Sequence, residues 1–345
     1  MDTRKSVSTY SLLIILVCTI IVSLYKFPDS LDIVRYYDSA RYAAASYSNL
    51  LDYAYDKIST DIDFIYTSVL YVFQKNHIPL NIATIIFLSI YYICIVRICK
   101  ISYNLRGCHY LLCISLFCVP VDWTLTISRF LAAISFFYIA IMYLISHKYR
   151  TGLLFLIISL FTHIFILLFI IFLLISFLLY KLSLNRKLSN IILLSFVVVG
   201  FTTSFLGDLI QNLVANFAGD LRYSAYADFF LETDSILRAS RVDYGSKLGA
   251  LFVYVVSIFL CLCDQNRNCS YWFLYILTCV LCIVFHSSVV LTNRVEMVMP
   301  LFIGLSSYSI LKSNNSSQVF VLKFLNLISV VVLLVVLYAA RNIFF

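Results

Sequence analysis

The chain has 345 residues, of which 62% are hydrophobic and 12% are charged, and its mean hydropathy is +0.97. A soluble domain carries about 25% charged residues, so this composition excludes an ordinary soluble protein. The formal net charge is +8, but most of the bases lie in short connections between apolar runs, which argues against a surface that binds nucleic acid.

Long apolar runs follow one another along the chain. They predict an all-α, polytopic integral membrane protein with roughly ten or eleven transmembrane helices. Residues 64–73 are too short to cross a membrane and are expected to be re-entrant or interfacial. Residues 152–180 are too long for one upright helix, so we expect a break near Thr162 and His163 that gives two crossings. The predicted spans lie near residues 10–25, 80–96, 109–121, 128–146, 152–163, 164–180, 189–206, 247–263, 270–286, 295–311 and 322–340.

Two segments between the predicted spans are long and acidic. Residues 26–63 hold seven acids and four bases, and residues 207–245 hold six acids and three bases. Lys and Arg in short loops mark the cytoplasmic side of a membrane protein. We therefore expect these two segments to be extracytoplasmic loops of a single membrane domain that covers residues 1–345. Loops of this length usually carry function.

The first loop contains the first candidate site residues. After a proline, its pattern predicts a helix at the membrane surface in which Asp32, Arg35 and Tyr36 share one face. Tyrosine rings stack on sugars and carboxylates accept hydrogen bonds from hydroxyl groups, so this loop suits a glycan. Asp32 or Asp38 is a candidate general base for a sugar hydroxyl. The alternative is an interfacial aromatic belt with salt-bridged partners.

Arg129 and His163 lie inside long apolar runs. A charge or an imidazole at membrane depth is costly and persists mainly where it faces a polar cavity. Both residues are therefore candidates for a site: Arg129 for an anionic substrate and His163 for catalysis. The alternative is that Arg129 reaches the lipid head groups and that His163 bonds to a neighbouring helix.

Four further bases are expected on the same side of the membrane. Arg238 and Arg241 are three residues apart in the second loop and could form a two-armed clamp for phosphate, although local pairing with nearby aspartates is the alternative. His286 and Arg294 lie around the start of a later span. Together with Arg129, these bases predict a site for an anionic, lipid-anchored substrate such as a pyrophosphate.

No cofactor is predicted from the sequence. None of the 11 cysteines falls in either long loop, so no disulfide framework is implied on the oxidising side. The cysteines also lack the spacing of a zinc site, and no metal is predicted. No nucleotide-binding or hydrolase motif is present, so the chain carries no sign of nucleotide hydrolysis.

Several of these segments resemble the EpsG family of Wzy-type polysaccharide polymerases. Asp32-Ile-Val-Arg-Tyr36 resembles the Asp-x-x-x-Tyr pattern of that family, and Asp61-Ile-Asp-Phe-Ile-Tyr66 resembles the short apolar element that follows it. The most specific part is the order of Arg129-Phe-Leu-Ala132, a basic turn and Phe161-Thr-His163. Asn293-Arg294 resembles a C-terminal Arg of the family. One departure is Phe130, since the family often has Gln after this Arg.

The resemblance implies a bacterial inner-membrane enzyme that joins oligosaccharide repeat units carried on undecaprenyl pyrophosphate, at the periplasmic face. It implies that Arg129, Arg294, Arg238 and Arg241 hold the pyrophosphate. Under this reading Asp32 or Asp38 is the base, and His163 is a second candidate or an orienting residue. The expected partners are the lipid-linked oligosaccharide, the membrane and a chain-length regulator protein, with no nucleic acid.

Two other functions fit a protein of this size and composition. A flippase for the lipid-linked unit would have inverted repeats and polar residues along a path to both faces, and the sequence has neither pattern. A membrane acyltransferase that modifies a glycan has a similar length and span count. It would call for a His/Arg pair near the first span, but no histidine precedes His77.

Overall fold

The computed structural model describes residues 3–24, 32–60, 63–103, 128–202, 243–284, 289–311 and 316–324. All regular secondary structure in these ranges is α-helical, which confirms the all-α prediction. Residues 316–324 form a short helical stretch near the end of the chain. The preceding helices are α1 Thr3–Leu24, α2 Asp32–Ser46, α3 Leu50–Thr60, α4 Phe64–Lys75, α5 Leu80–Tyr103, α6 Ser128–Ile145, α7 Tyr149–Thr162, α8 Ile166–Leu182, α9 Arg186–Thr202, α10 Asp243–Cys263, α11 Cys269–Val284 and α12 Val289–Leu311.

The apolar helices coincide with the predicted spans in the described ranges. Only α5, over Leu80–Ile98, is long and apolar enough to cross a membrane by itself among the described helices. Shorter apolar helices include Arg129–Ile145, Tyr149–Thr162 and Ile166–Leu182. The number of crossings therefore stays a prediction. The predicted span over residues 109–121 lies outside the described residues, as do most of the predicted span over residues 322–340 and most of the predicted second loop over residues 207–245.

The break predicted inside residues 152–180 is confirmed. Helix α7 ends at Thr162, and His163 has an extended backbone with φ −160° and ψ 120°. Helix α8 begins three residues later, at Ile166. The single apolar run of the sequence is thus two helices joined at His163.

Contacts divide the chain into two compact units, with the division inside α8 between Ile171 and Phe172. The first unit contains α1–α7 and the start of α8. The second contains the rest of α8 and α9–α12. The prediction of one domain over residues 1–345 remains a prediction.

In the first unit, the first predicted loop is folded into helices. Helices α2 and α3 both pack against α4, where the Tyr53 and Tyr71 rings stack with centroids 4.8 Å apart. Gln74 donates a hydrogen bond to the carbonyl oxygen of Tyr37, at 3.1 Å. Helix α4 ends just before His77, whose φ of 54° is left-handed. Helix α4 is thus a short helix packed on α2 and α3.

Helices α6 and α7 form a closely packed antiparallel pair joined by a short turn at Ser146–Lys148. Small residues allow this approach: Ser159 Oγ donates to the carbonyl oxygen of Ala133 at 2.6 Å, and a Cβ on Gly152 would lie 3.3 Å from the carbonyl oxygen of Ala140. The sites on each helix are seven residues, or two turns, apart. Small residues at such interfaces bring helix backbones together in membrane proteins.

In the second unit, α11 packs against α9, α10 and α12. The turn before α11 is tied to α12, since Ser309 donates to the buried carboxylate of Asp264 at 3.0 Å. The side chain of Asn266 in turn donates to Ser309 at 2.6 Å. Burial raises the pKa of Asp264 above its ordinary value, against the effect of the hydrogen bonds that the Asn266 backbone N–H and the Ser309 hydroxyl donate to its carboxylate.

Helices α9 and α11 pack closely at Gly200, where an added Cβ would clash with the carbonyl oxygen of Cys282. We expect Gly200→Ala to destabilise the protein by about 3 kcal/mol, because the backbone of α11 would have to move. Gly152→Ala is the matched control. Its Cβ would meet side-chain atoms of Leu144 at 2.8 Å, and these can shift more easily. Thermal unfolding in detergent checks the difference, and equal stability of the two variants would contradict it.

Candidate functional site

The ends of α6 and α7 that lie opposite the basic turn carry the two candidate residues predicted inside apolar runs. Four residues before Ala133 comes Arg129, and four residues after its partner Ser159 comes His163. Because the helices are antiparallel, this register brings Arg129 and His163 to the same level of the pair. Lys148 and Arg150 lie at the other end, where both are exposed.

Arg129 is held by a buried carboxylate. Its Nη1 donates a hydrogen bond to Oδ2 of Asp63 at 2.8 Å, and the side chains are only 10% and 4% exposed. Asp63 occupies the position just before α4, so the first loop supplies this partner. A buried ion pair of this kind is favourable only with good geometry, and removal of one member leaves the other charge without compensation.

The ring of Tyr36 covers the guanidinium of Arg129. Its centroid lies 4.3 Å from Cζ of Arg129, which is a close cation–π contact. Tyr36 in turn meets Tyr66 edge to face, with centroids 5.9 Å apart. The guanidinium on α6 is thus contacted by groups from two other segments, Tyr36 on α2 and Asp63 just before α4.

His163 is buried where α7 ends, with 4% of its surface exposed. The imidazole meets the ring of Phe130 edge to face, at a centroid distance of 5.4 Å. Its Nδ1 lies 3.1 Å from the backbone nitrogen of Phe165, which donates a hydrogen bond to it. Because Phe130 follows Arg129 directly, one aromatic side chain connects the two predicted site residues.

The other predicted residues of the first loop are more exposed. Asp38 is paired with Arg41 at 3.3 Å, and their side chains are 49% and 68% exposed. Arg35 is exposed on α2. Helix α2, Asp32–Ser46, confirms the helix predicted after the proline, but the Asp32 side chain lies outside the described set. Of this group, only Tyr36 contacts Arg129 through a described contact.

The predicted bases of the later segments lie either in the second unit or outside the described residues. Arg238, Arg241 and His286 lie outside the described residues. Arg294 is buried in α12, in the second unit. Glu296, two residues later in the same helix, is also buried, and its carboxylate oxygens have no hydrogen-bond partner within the described ranges. An ionisable group buried at such a position is a candidate for function, and the sequence prediction did not include it.

Asp63 is the main residue of the site that the sequence prediction missed. It was one of seven acids in the first loop, and its charge alone did not separate it from Asp38 or Asp56. A usable signal was its place directly before an apolar segment, since an acid favours the start of a helix. That signal places Asp63 just before α4, but it does not identify Arg129, 66 residues away, as its partner.

The candidate site therefore combines the buried guanidinium of Arg129 with the carboxylate of Asp63 and the ring of Tyr36, and the imidazole of His163 lies at the same end of the helix pair. Among the described residues, no group of three or more His, Cys, Asp or Glu side chains could hold a metal ion. A buried, oriented guanidinium suits an anion with two adjacent oxygens, such as a phosphate. Carboxylate and hydroxyl groups beside it suit polar sugar substituents.

The family model described as the EpsG family matches residues 6–345. No curated protein and no solved structure matches the chain at a significant level. The family match covers nearly the whole length and includes every segment that forms the site. The chain therefore belongs to the EpsG family, a Wzy-type polymerase-like family of membrane proteins that act in polysaccharide biosynthesis.

Proposed function

We propose that this protein polymerises oligosaccharide repeat units carried on undecaprenyl pyrophosphate into a surface polysaccharide such as O-antigen. The observation that carries the proposal is the Arg129 guanidinium, buried and held between the Asp63 carboxylate and the Tyr36 ring. Membership of the EpsG family supports a polysaccharide polymerase in general. A fixed guanidinium supplies what a lipid pyrophosphate needs, both for binding and as a leaving group.

The proposed reaction is a glycosyl transfer. A hydroxyl oxygen on the terminal sugar of one repeat unit bonds to the anomeric carbon of the growing chain. The bond from that carbon to the pyrophosphate oxygen breaks, and the pyrophosphate leaves with the electron pair. The hydroxyl proton passes to a general base, for which Asp32 and Asp38 are the candidates. Arg129 stabilises the charge that develops on the leaving pyrophosphate.

Asp63 is proposed as a positioning residue rather than a base. Its bond to Arg129 fixes the guanidinium, and the ring of Tyr36 prevents the guanidinium from tilting. Preorganised charges stabilise a transition state better than mobile ones because they need no reorganisation during the reaction. Arg35, Arg238, Arg241, His286 and Arg294 remain proposed contacts to the substrate.

We also propose that the chain is a multi-pass protein of the inner membrane with its two long loops on the extracytoplasmic side. Large apolar side chains are exposed along one side of several helices, which supports contact with lipid. On α8, for example, Leu174 is 61% exposed and Leu178 is 56% exposed. The exposed Lys148 and Arg150 in the α6–α7 turn fit the cytoplasmic side. A chain-length regulator is the proposed protein partner.

The test is glycan analysis of a deletion strain. We expect the polysaccharide ladder to disappear while a single repeat unit remains on the lipid at the outer face of the membrane, because the units are made and exported but not joined. Complementation with the wild-type gene should restore the ladder. Units trapped on the inner face would instead indicate a flippase. A full-length ladder that lacks a substituent would indicate an acyltransferase, and either result would contradict the proposal.

A further inference from the structure

The hydrogen bonding of His163 fixes which of its two ring nitrogens carries hydrogen. The backbone N–H of Phe165 donates to Nδ1 at 3.1 Å. A peptide nitrogen is a donor and cannot accept, so Nδ1 must offer its lone pair. The hydrogen of the neutral ring is therefore on Nε2. In this orientation, Nε2–H is the hydrogen-bond donor of the ring and Nδ1 is its acceptor.

The break between α7 and α8 creates this arrangement. His163 is extended, and its own N–H still bonds to the carbonyl oxygen of Ser159, so it closes the last turn of α7. Its carbonyl oxygen accepts from the N–H of Ile166, the first residue of α8. The N–H of Phe165 lies between the two helices and would lack an intrahelical acceptor. The imidazole supplies that acceptor, which couples the ring orientation to the backbone of the break.

Aromatic packing restricts the rotation of the ring. Phe130 meets the imidazole edge to face at 5.4 Å, and the Phe130 ring is itself 6.1 Å from the rings of Phe165 and Phe169. A flip of the imidazole would take Nδ1 away from the N–H of Phe165 and leave that N–H without its acceptor. Buried backbone groups are rarely left in that state. The contacts therefore select one ring orientation as well as one tautomer.

We propose that His163 binds a phosphate oxygen of the lipid-linked substrate through Nε2–H, as a neutral donor, and that it is not the base that takes the acceptor's proton. This inference rests on the proposed function and names the role of one residue in the same site. A general base needs an available lone pair, but the lone pair of this ring is already bonded to the N–H of Phe165. A phosphate oxygen is a strong acceptor and fits a fixed N–H donor.

The position of His163 beside Arg129 supports this assignment. The two residues are at the same level of the α6–α7 pair, and Phe130 links them. A neutral donor next to a guanidinium adds a hydrogen bond to an anion without a second buried positive charge. A protonated imidazole at this buried position would have to be desolvated, which is unfavourable. In this proposal Arg129 supplies the positive charge that attracts the pyrophosphate, and His163 supplies a directed hydrogen bond to one of its oxygens.

Three substitutions of His163 test the assignment. The amide nitrogen of glutamine takes the place of Nε2 and can donate, whereas asparagine reaches only the place of Nδ1, where its oxygen can accept from Phe165. We expect His163→Gln to polymerise lipid-linked repeat units within about tenfold of the wild type. We expect His163→Asn and His163→Ala to lose about 100-fold in kcat/KM, as for one lost hydrogen bond to a charged group.

The assay uses the purified full chain in detergent, with lipid-linked repeat units isolated from the deletion strain. Binding of undecaprenyl pyrophosphate is measured in parallel, and each variant is compared at equal folded concentration. If His163→Gln is as inactive as His163→Ala while the wild type is active, the donor role is wrong. An active His163→Asn would overturn it as well. If the wild type itself neither binds the lipid pyrophosphate nor forms polymer, the proposed function fails first.

A spectroscopic measurement separates this role from a purely structural one. With the histidines labelled with nitrogen-15, the signal lost in His163→Gln identifies His163. We expect Nε2 to carry hydrogen and Nδ1 to have none, and we expect added undecaprenyl pyrophosphate to shift the Nε2 signal. A hydrogen on Nδ1 in the folded wild type would overturn the inference, and so would an Nε2 signal that does not respond to a lipid pyrophosphate that binds.

Discussion

Arg129→Ala is expected to abolish polymer formation and to destabilise the protein by about 3–5 kcal/mol. Both effects follow from one contact, because the substitution removes the guanidinium proposed to bind pyrophosphate and leaves the buried Asp63 carboxylate without its partner. Arg129→Lys keeps the charge but loses the planar group that stacks under Tyr36. We expect it to retain most of the stability but little of the activity. Glycan ladders and thermal unfolding in detergent measure the two effects.

The double variant Arg129→Ala/Asp63→Ala separates stability from activity. Removal of both charges leaves no uncompensated ion in the interior, so we expect part of the lost stability to return, while the cavity left by the two smaller side chains keeps the double variant below the wild type. Polymer formation should not return, because the guanidinium is still absent. Arg41→Ala is the matched control. Its pair with Asp38 is largely exposed, and such pairs contribute about 0.2–1 kcal/mol.

Two outcomes would contradict this account of Arg129. Normal polymer from Arg129→Ala at wild-type abundance would show that the guanidinium is not needed. Recovery of polymer in the double variant would show that the single variant fails only because Asp63 is left as an uncompensated charge. The role of Arg129 in binding the substrate would then be wrong, although its role in the fold would remain.

The position of Arg129 beside His163 could be predicted from the sequence because it depends on local rules. Two apolar runs joined by a short basic turn give an antiparallel helix pair, and the residues farthest from the turn must then share one end. The break at His163 could be predicted for a different reason. Residues 152–180 are too long for one upright helix across the membrane, so a break inside them is expected. The described helices α7 and α8 are separated at this break.

The partners of Arg129 could not be predicted, because they depend on packing between segments far apart in the chain. Asp63 lies 66 residues from Arg129, and Tyr36 is farther still. Each of the seven acids of the first loop could have been the partner on charge alone. What separates them is burial: Asp38 is half exposed, whereas Asp63 is covered by the packing of α4. Burial is a property of the fold and leaves only a weak trace in one sequence.

Phe130 illustrates how a departure from a family pattern can have a structural reason. The resemblance gave Gln at this position, and the presence of Phe left any role for an amide in doubt. The ring of Phe130 is fully buried and meets the imidazole of His163 edge to face. In this chain the position therefore supports His163 by packing.

The packing of α6 on α7 sets the register of the site, and Ser159 tests it. Ser159 is fully buried, and its Oγ lies 2.6 Å from the carbonyl oxygen of Ala133. We expect Ser159→Leu to destabilise the protein by about 3 kcal/mol, because a larger side chain must separate the two helices. We also expect polymer formation to fall more than tenfold, since the separation displaces Arg129 from His163.

Two variants on α7 show whether register is the cause. Ser159→Ala removes only the hydrogen bond between the helices, which is worth about 0.6–1.7 kcal/mol, and it should keep most of the activity. Ile157→Phe adds volume on the same helix at a side chain that is 53% exposed, and it should change little. If Ser159→Leu folds and polymerises like Ile157→Phe, the close contact of α6 with α7 does not control the site. The distance between α6 and α7 can be measured directly with spin labels, one pair of labels at each end of the helix pair. In Ser159→Leu, this distance should increase at the end that carries Arg129 and His163. It should stay unchanged at the end near the turn.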